Sequence, residues 1–175
     1  MSVSHTESKR STRKAAKTTD AIDAIALLKA DHREVEGWFD DYESTGANAK
    51  KQKLADQICI ALKVHTQIEE ELFYPACREA GIEEDMMDEA DVEHDGAKKL
   101  IAEIEASKAG DDHFDAKVHV LGEMIKHHVK EEEQRDGMFA KAKKADLDLD
   151  ELGAELQRRK DDLMGQMSGA KKRKQ

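Results

Sequence analysis

Apolar residues recur every three or four positions over most of the chain, a spacing that predicts amphipathic α-helices. Turn-forming residues interrupt the pattern at 44–48 (STGAN), at Gly81 and at 109–112 (AGDD). Five helices are therefore predicted. They run from about Asp20 to Tyr42, Ala49 to Ala80, Glu83 to the break at 109–112, His113 to Lys144, and Leu149 to Met167.

Four long amphipathic helices joined by short connections predict an all-α fold, an antiparallel up-down-up-down four-helix bundle. The bundle is expected over residues 20–145, with an additional C-terminal helix (146–167) packed on its outside. Residues 1–19 and 168–175 are basic and offer almost nothing to bury, so disordered tails are predicted there. Pro75 is expected to bend or loosen the end of the second helix, because proline has no backbone N–H.

Composition supports this fold class. Charged residues make up 39% of the 175 residues and aromatics 4%, which suits helices with solvated outer faces better than a β-sandwich or barrel. The formal net charge of −10 divides into +3 for residues 1–20, +4 for residues 171–175 and about −17 for the rest. An acidic body cannot neutralise phosphates, so nucleic-acid binding is not expected of it and is left open only for the basic tails.

Targeting signals are not found in the sequence. It has no apolar signal segment at its N-terminus and no stretch approaching 18 apolar residues, so neither a secretory signal nor a membrane span is expected. Cys59 and Cys77 lie 18 positions apart within helical patterns and are interpreted as reduced thiols of an intracellular protein. A cytoplasmic location is predicted.

Polar residues break the apolar stripes in a repeated way. Each of the four long predicted helices places one histidine on its stripe, and the second and fourth add a glutamate at i+4, on the same helix face. One such histidine is more often an ordinary core residue, but here the two halves of the chain match at offsets of 62 and 63 residues. The candidate site residues are His32, His65, Glu69, His94, His128 and Glu132.

Antiparallel packing would bring these four imidazoles and two carboxylates to one level in the interior, where leaving them unpaired is costly. Metal ions remove that cost, and imidazole with carboxylate suits iron, zinc, copper or nickel better than magnesium or calcium. Six ligands with two carboxylates able to bridge suit two ions. Two divalent ions and two glutamates leave a charge of +2, so a bridging oxide or hydroxide is expected.

Four motifs resemble the hemerythrin-like, or HHE cation-binding, family over roughly residues 21–145: LLKADHREVE (27–36), HTQIEEELFYP (65–75), EHDGAKKLI (93–101) and HHVKEEE (127–133). The resemblance implies a four-helix bundle with two non-haem iron ions. It makes the same six residues the iron ligands, with Glu69 and Glu132 bridging.

The chain departs from the family pattern at two places. The oxygen carriers of the family have a second histidine four residues after the third-helix ligand, and Lys98 stands there in this sequence. Reversible oxygen carriage is therefore less strongly expected, and what fills that coordination position is left open. The stretch EEEQRDGMFAKA (131–142) has two more residues than in many relatives, which predicts a shifted end of the fourth helix without displacement of His128 or Glu132.

Three functions fit the predicted site. The first is a non-enzymatic protein that binds or senses O2 or NO, with a further role in buffering iron. The second is an enzyme that dismutates peroxide or reduces NO in stress defence. The third is an interaction module whose metal only holds the bundle together. Histidine outnumbers carboxylate, unlike the Glu-x-x-His pairs of ferritin-like sites, which disfavours iron storage. No protein partner is predicted.

The remaining polar residues have plainer interpretations. His127 would point about 100° away from His128 on a helix and lie at the surface or behind a ligand. His113 and His119 are expected to be exposed, and Tyr42 and Trp38 to pack in or beside the core. Four glutamates next to the candidate ligands are expected to be solvated, although one could hydrogen-bond a ligand histidine: Glu70, Glu71, Glu131 and Glu133.

Overall fold

The computed structural model describes residues 22–172, with side chains to residue 167, and in this range the chain is built of helices and short turns. The predicted all-α fold is confirmed. The elements are α1 (Ala24–Glu43), α2 (Asn48–Ile68), a π-helical segment (Glu69–Phe73), α3 (Tyr74–Glu79), α4 (Glu84–Glu105), α5 (Phe114–Glu133), α6 (Met138–Lys144) and α7 (Leu149–Lys172).

Two apolar clusters form the core, and the candidate site lies between them. Along α1, Leu28 belongs to the first cluster and Val35 to the second, with His32 between them. Along α2 the order is reversed, from Leu62 in the second cluster to Ile68 in the first. The order reverses again in α4, from Met87 in the first cluster to Ala97 in the second. Helix α5 starts in the second cluster at Phe114, and the chain returns to the first cluster at Met138, at the start of α6. These alternating directions make the four helices an antiparallel bundle.

The first helix begins later than predicted. Asp23 is its N-cap, and the Asp23 carboxylate accepts a hydrogen bond from the Ala26 backbone N–H at 2.8 Å. The helix therefore begins at Ala24 rather than near Asp20. The predicted N-terminal tail (1–19) lies outside the described residues, whereas α7 continues to Lys172, past the predicted end near Met167.

The second predicted helix ends at Gly81 as expected. Gly81 has a φ of +78°, and the Ile82 N–H returns to the Cys77 carbonyl at 3.1 Å, a C-terminal cap that favours glycine. Before this end, the five residues ahead of Tyr74 adopt a π-helix, in which the Tyr74 N–H donates to the Glu69 carbonyl. Pro75 follows at the start of α3 and has no N–H to continue the α-helical pattern. The predicted loosening near Pro75 is thus a π-bulge.

The fourth predicted helix, from His113 to Lys144, is wrong as a single element. It breaks after Glu133, where Gln134 is extended (φ −61°, ψ 165°), and α6 begins only at Met138. Gly137 closes the break: a Cβ on it would lie 2.3 Å from the Glu131 carbonyl oxygen. The segment that joins α5 to α6 passes so close to the end of α5 that residue 137 has no room for a side chain. The break lies beyond His128 and Glu132, which stay in α5.

Helix α7 packs against α1 and α2 and buries Leu152, Leu156 and Leu163. Two charged contacts join it to the bundle. Arg159 donates from Nε and Nη2 to the Glu71 carboxylate at 2.6 and 3.0 Å, and Lys160 pairs with Asp31. Between residues 22 and 172, no helix combines the length and the apolar character needed to cross a membrane.

Candidate metal centre

The structure brings all six candidate residues together in the interior, each at most 5% exposed. The histidines meet in two pairs through their Nε2 atoms. His32 and His65 are 3.0 Å apart, and His94 and His128 are 3.2 Å apart. Each pair joins two different helices, because the antiparallel packing places the four stripe positions at one level.

Both glutamates reach across the two histidine pairs. Glu69 Oε1 lies 3.2 Å from His65 Nε2, and its Oε2 lies 3.4 Å from His94 Nε2. Glu132 Oε2 lies 3.4 Å from His32 Nε2 and 3.6 Å from His128 Nε2. Each carboxylate therefore contacts one histidine of each pair, which is the arrangement of a bridging ligand.

These donor atoms have the spacing of metal ligands. Donors held at the usual distance from one transition-metal ion lie roughly 3.0–3.4 Å from one another. Two groups have donor atoms that all lie within 4.8 Å of each other, and they share Glu69: His32, His65, Glu69 and Glu132 in one, Glu69, His94 and His128 in the other.

Two buried carboxylate oxygens lack a hydrogen bond. Glu69 Oε1 and Glu132 Oε2 have no hydrogen-bond partner within the described part of the chain. Leaving such an oxygen unsatisfied costs roughly 1–3 kcal/mol or more for a charged group. A cation between the donor groups would satisfy both oxygens, so the residues present fit two metal ions.

Each histidine is oriented from behind by a carboxylate that accepts from its Nδ1. Since a carboxylate can only accept, each Nδ1 carries a proton, and the Nε2 of a neutral ring then directs its lone pair to the centre, as a metal ligand requires. The pairs and their distances are His32 with Glu133 at 2.8 Å, His65 with Asp31 at 3.3 Å, His94 with Glu70 at 2.9 Å and His128 with Glu93 at 2.7 Å.

The sequence predicts only part of this set of orienting carboxylates. One of the glutamates beside the ligands was expected to hold a histidine, and Glu70 and Glu133 both do. Asp31 and Glu93 were not predicted. The internal repeat could have identified them, because Asp31 and Glu93 are 62 residues apart and Glu70 and Glu133 are 63 residues apart.

Lys98 does not point into the centre. Its ammonium lies 2.6 and 2.7 Å from the two carboxylate oxygens of Glu70, which in turn holds His94. The hydrogen bond from His94, and after it the Lys98 ammonium, hold the pKa of Glu70 below its usual range. The residue that replaces the expected histidine therefore supports the neighbouring ligand instead of binding metal itself.

Tyr74 places a hydroxyl among the ligands, and the sequence analysis did not identify it. The buried phenol oxygen lies 3.1 Å from Glu132 Oε1, 3.3 Å from His94 Nε2 and 3.4 Å from Glu69 Oε2. Tyr42, the tyrosine considered from the sequence, instead donates to Asp115 at 2.6 Å. Tyr74 reaches the centre because of the π-bulge, which turns residue 74 to the same side of the helix as residue 69.

Charges in the centre are strongly interdependent. Burial and the adjacent Glu69 carboxylate raise the pKa of Glu132 to about 7. Burial disfavours protonation of His65, but the carboxylates of Glu69 and Asp31 outweigh it and raise its pKa to about 10. Protons and metal ions therefore compete for the same atoms, and metal affinity should fall as the pH is lowered.

A narrow cavity of about 20 Å³ adjoins the imidazoles. Four apolar side chains form much of its wall, Val35, Leu62, Ile125 and Val129. The space suffices for roughly one water-sized molecule. Only a small ligand suits such a chamber.

Replacing Asp31 with asparagine is expected to weaken metal binding by about 10- to 100-fold, because His65 loses the carboxylate that fixes its orientation. Chelator competition on purified protein measures the loss. Asp41→Asn is the control, since Asp41 is exposed on the same helix. Equal affinities of the two variants would contradict a supporting role for Asp31.

Comparisons with known proteins agree with the helical fold. The family model of the Hemerythrin HHE cation binding domain matches residues 23–142. The fold resembles the crystal structure of a Hemerythrin HHE cation binding domain-containing protein from Mycobacterium kansasii, with a TM-score of 0.70, 24% identity, and coverage of 83% of this chain and 89% of that one.

A curated relative, a DNA nickase of Nostoc sp. (strain PCC 7120), is 29% identical over 107 residues, which are 61% of this chain. That match spans only 30% of the relative's length. The family match, in contrast, covers more than half of the chain and includes all six residues of the centre. The chain therefore belongs to the Hemerythrin HHE cation-binding domain family.

Proposed function

We propose that this protein is a non-haem di-iron protein that binds a small ligand, O2, NO or peroxide, inside its helical bundle. One observation carries the proposal: Glu69 is shared by two groups of buried metal donors. The apolar cavity beside the imidazoles gives a small ligand a place to bind. A cytoplasmic location is part of the proposal.

The donor set favours iron among the transition metals. Imidazole nitrogens combined with carboxylate oxygens suit iron. Structural zinc sites are usually closed by four ligands around one ion, unlike two groups that share a carboxylate. Two divalent ions exceed the charge of Glu69 and Glu132 by +2, which an oxide bridge would balance and a hydroxide bridge would reduce to +1. When bound, iron would supply small-ligand binding and a change of oxidation state.

The surrounding residues define what the centre can accept. The small volume of the cavity admits only a small ligand to the imidazoles and excludes bulky molecules. The outer carboxylates prevent the imidazole rings from turning, so the Nε2 atoms stay directed inward. Tyr74 holds its hydroxyl proton against the Glu132 carboxylate at 3.1 Å.

An enzyme that processes peroxide or NO is the second candidate. Its supporting observation is the Tyr74 hydroxyl, a proton donor placed inside the centre rather than at its edge. Such a donor suits proton-coupled chemistry more than simple ligand storage. Stopped-flow spectra separate the two candidates: reversible bands on addition of O2 to the reduced protein support binding, and sustained O2 release from added peroxide supports the enzyme.

Replacing Tyr74 with phenylalanine removes the hydroxyl and keeps the packed ring. We expect about two irons per chain to remain, because six ligands are intact, together with a changed charge-transfer spectrum and at least a 10-fold loss of any peroxide turnover. Tyr42→Phe, distant from the centre, is the control. An unchanged spectrum and turnover would show that the Tyr74 hydroxyl has no part in the chemistry.

Metal analysis tests the proposal as a whole. Purified protein should contain close to two irons per chain, and azide should perturb the optical spectrum of the oxidised form. A protein that carries a different metal, or only one ion, contradicts the di-iron assignment. A di-iron centre that azide and NO cannot reach in any oxidation state would indicate that the metal only stabilises the bundle.

A further inference from the structure

A second pocket, of about 90 Å³, lies between α4 and α5 and reaches the metal centre from outside. Its inner lining includes the centre residues His128 and Glu132. Its outer lining includes the carboxylates of Glu89, Glu93 and Glu131, and no lysine or arginine belongs to its lining among the described residues. A pocket of this size holds several waters, and its charge attracts cations.

A histidine stands beside these carboxylates with the spacing of a metal ligand. His127 Nε2 lies 3.1 Å from Glu131 Oε1 and 3.4 Å from Glu93 Oε1. These separations match the roughly 3.0–3.4 Å expected between donors around one transition-metal ion. The imidazole is 64% exposed, so water could complete the coordination of an ion there.

Glu93 connects this outer group to the centre. Its Oε1 faces His127, whereas its Oε2 accepts from His128 Nδ1 at 2.7 Å. At the inner end of the same pocket, the almost completely buried Glu132 has an oxygen without a hydrogen bond. A cation entering the pocket would therefore meet partly hydrated donors first and a fully buried, unsatisfied carboxylate afterwards.

We propose that Glu93, His127 and Glu131 form a separate docking site for a divalent transition-metal cation, and that Fe²⁺ passes from it through the pocket to the metal centre. One nitrogen and two carboxylates suit Fe²⁺ or Zn²⁺. Three donors that are half-buried or exposed bind an ion more weakly than the buried centre does, so the ion can move inward. The docking site stands on its own, while the delivery step rests on the proposed di-iron function.

Zinc binding tests the docking site. With the centre already loaded with iron, the full-length protein should bind one further Zn²⁺ in a calorimetric titration. His127→Ala and Glu131→Gln should each weaken this binding by at least 10-fold. His119→Ala is the matched control, because His119 is also on α5, is 62% exposed and lies 3.1 Å from a carboxylate oxygen of Glu43. Equal Zn²⁺ affinity of the His127→Ala and His119→Ala proteins would overturn the site.

Iron uptake tests the delivery step. Full-length protein depleted of metal is mixed with limiting Fe²⁺, and the growth of the centre's absorbance is followed. His127→Ala and Glu131→Gln should slow this growth by about 10-fold and reach the same final iron content as the wild type and His119→Ala. Equal rates would overturn delivery. A wild type that gains no iron at the centre would contradict the proposed function, while the Zn²⁺ titration still decides the docking site.

Discussion

Replacing Glu69 with alanine is expected to reduce the iron content from about two ions per chain to below one. Glu69 is the residue common to both donor groups, and its two oxygens approach His65 and His94 at 3.2 and 3.4 Å. Its removal takes a ligand from each ion at once. Elemental analysis and the near-ultraviolet charge-transfer bands measure the loss.

The control for this prediction is Glu71→Ala. Glu71 lies two residues further along the same π-helical segment, is exposed and pairs with Arg159 on α7. Its replacement should leave the iron content unchanged. If Glu69→Ala protein still binds two irons with wild-type spectra, Glu69 is not a shared ligand and the assignment of the centre fails.

Replacing Gly137 with alanine is expected to destabilise the protein by about 3 kcal/mol, near the upper end of overpacking effects. The added Cβ would lie 2.3 Å from the Glu131 carbonyl oxygen and 2.7 Å from that of Glu132. Backbone cannot yield as a flexible side chain can, so α6 or the end of α5 must shift. For a protein of this size the change corresponds to a fall of roughly 10 °C in Tm.

Gly37→Ala is the matched control, because a Cβ at Gly37 in α1 has no neighbour within 4 Å. It should raise stability by up to about 1 kcal/mol, since alanine favours a helix over glycine. The Gly137 variant should also bind metal less tightly, because Glu132 is next to the displaced carbonyl. A Tm of Gly137→Ala protein equal to that of the wild type would show that the break after α5 is freely adjustable.

The position of the six candidate residues follows from helix periodicity. His94, for example, lies one turn from Ala90 and one from Ala97, and all three are buried on one face of α4. Side chains three or four positions apart share a helix face whatever the rest of the fold does. Helix periodicity therefore predicted which face of each helix is buried. The internal repeat then identified the equivalent residues on the other helices.

Tyr74 and the break after Glu133 could not be predicted in the same way. Ideal helix geometry would turn residue 74 away from the face of Glu69, and only the π-bulge reverses this. The break at Gln134–Gly137 interrupts a stretch with strong helical periodicity, because the chain must return across the end of α5. Both are departures from regular geometry, which periodicity cannot reveal.

The sequence by itself determined the helical class, the buried histidines and glutamates, and their arrangement in two matching halves. Each depends on spacing along one helix or on a repeat visible in the chain. The tertiary structure alone decided which carboxylate orients which histidine: Asp31, adjacent to His32, holds His65, and Glu93, adjacent to His94, holds His128. Such contacts cross between helices, and their partners are set by how neighbouring helices rotate and pack rather than by sequence spacing.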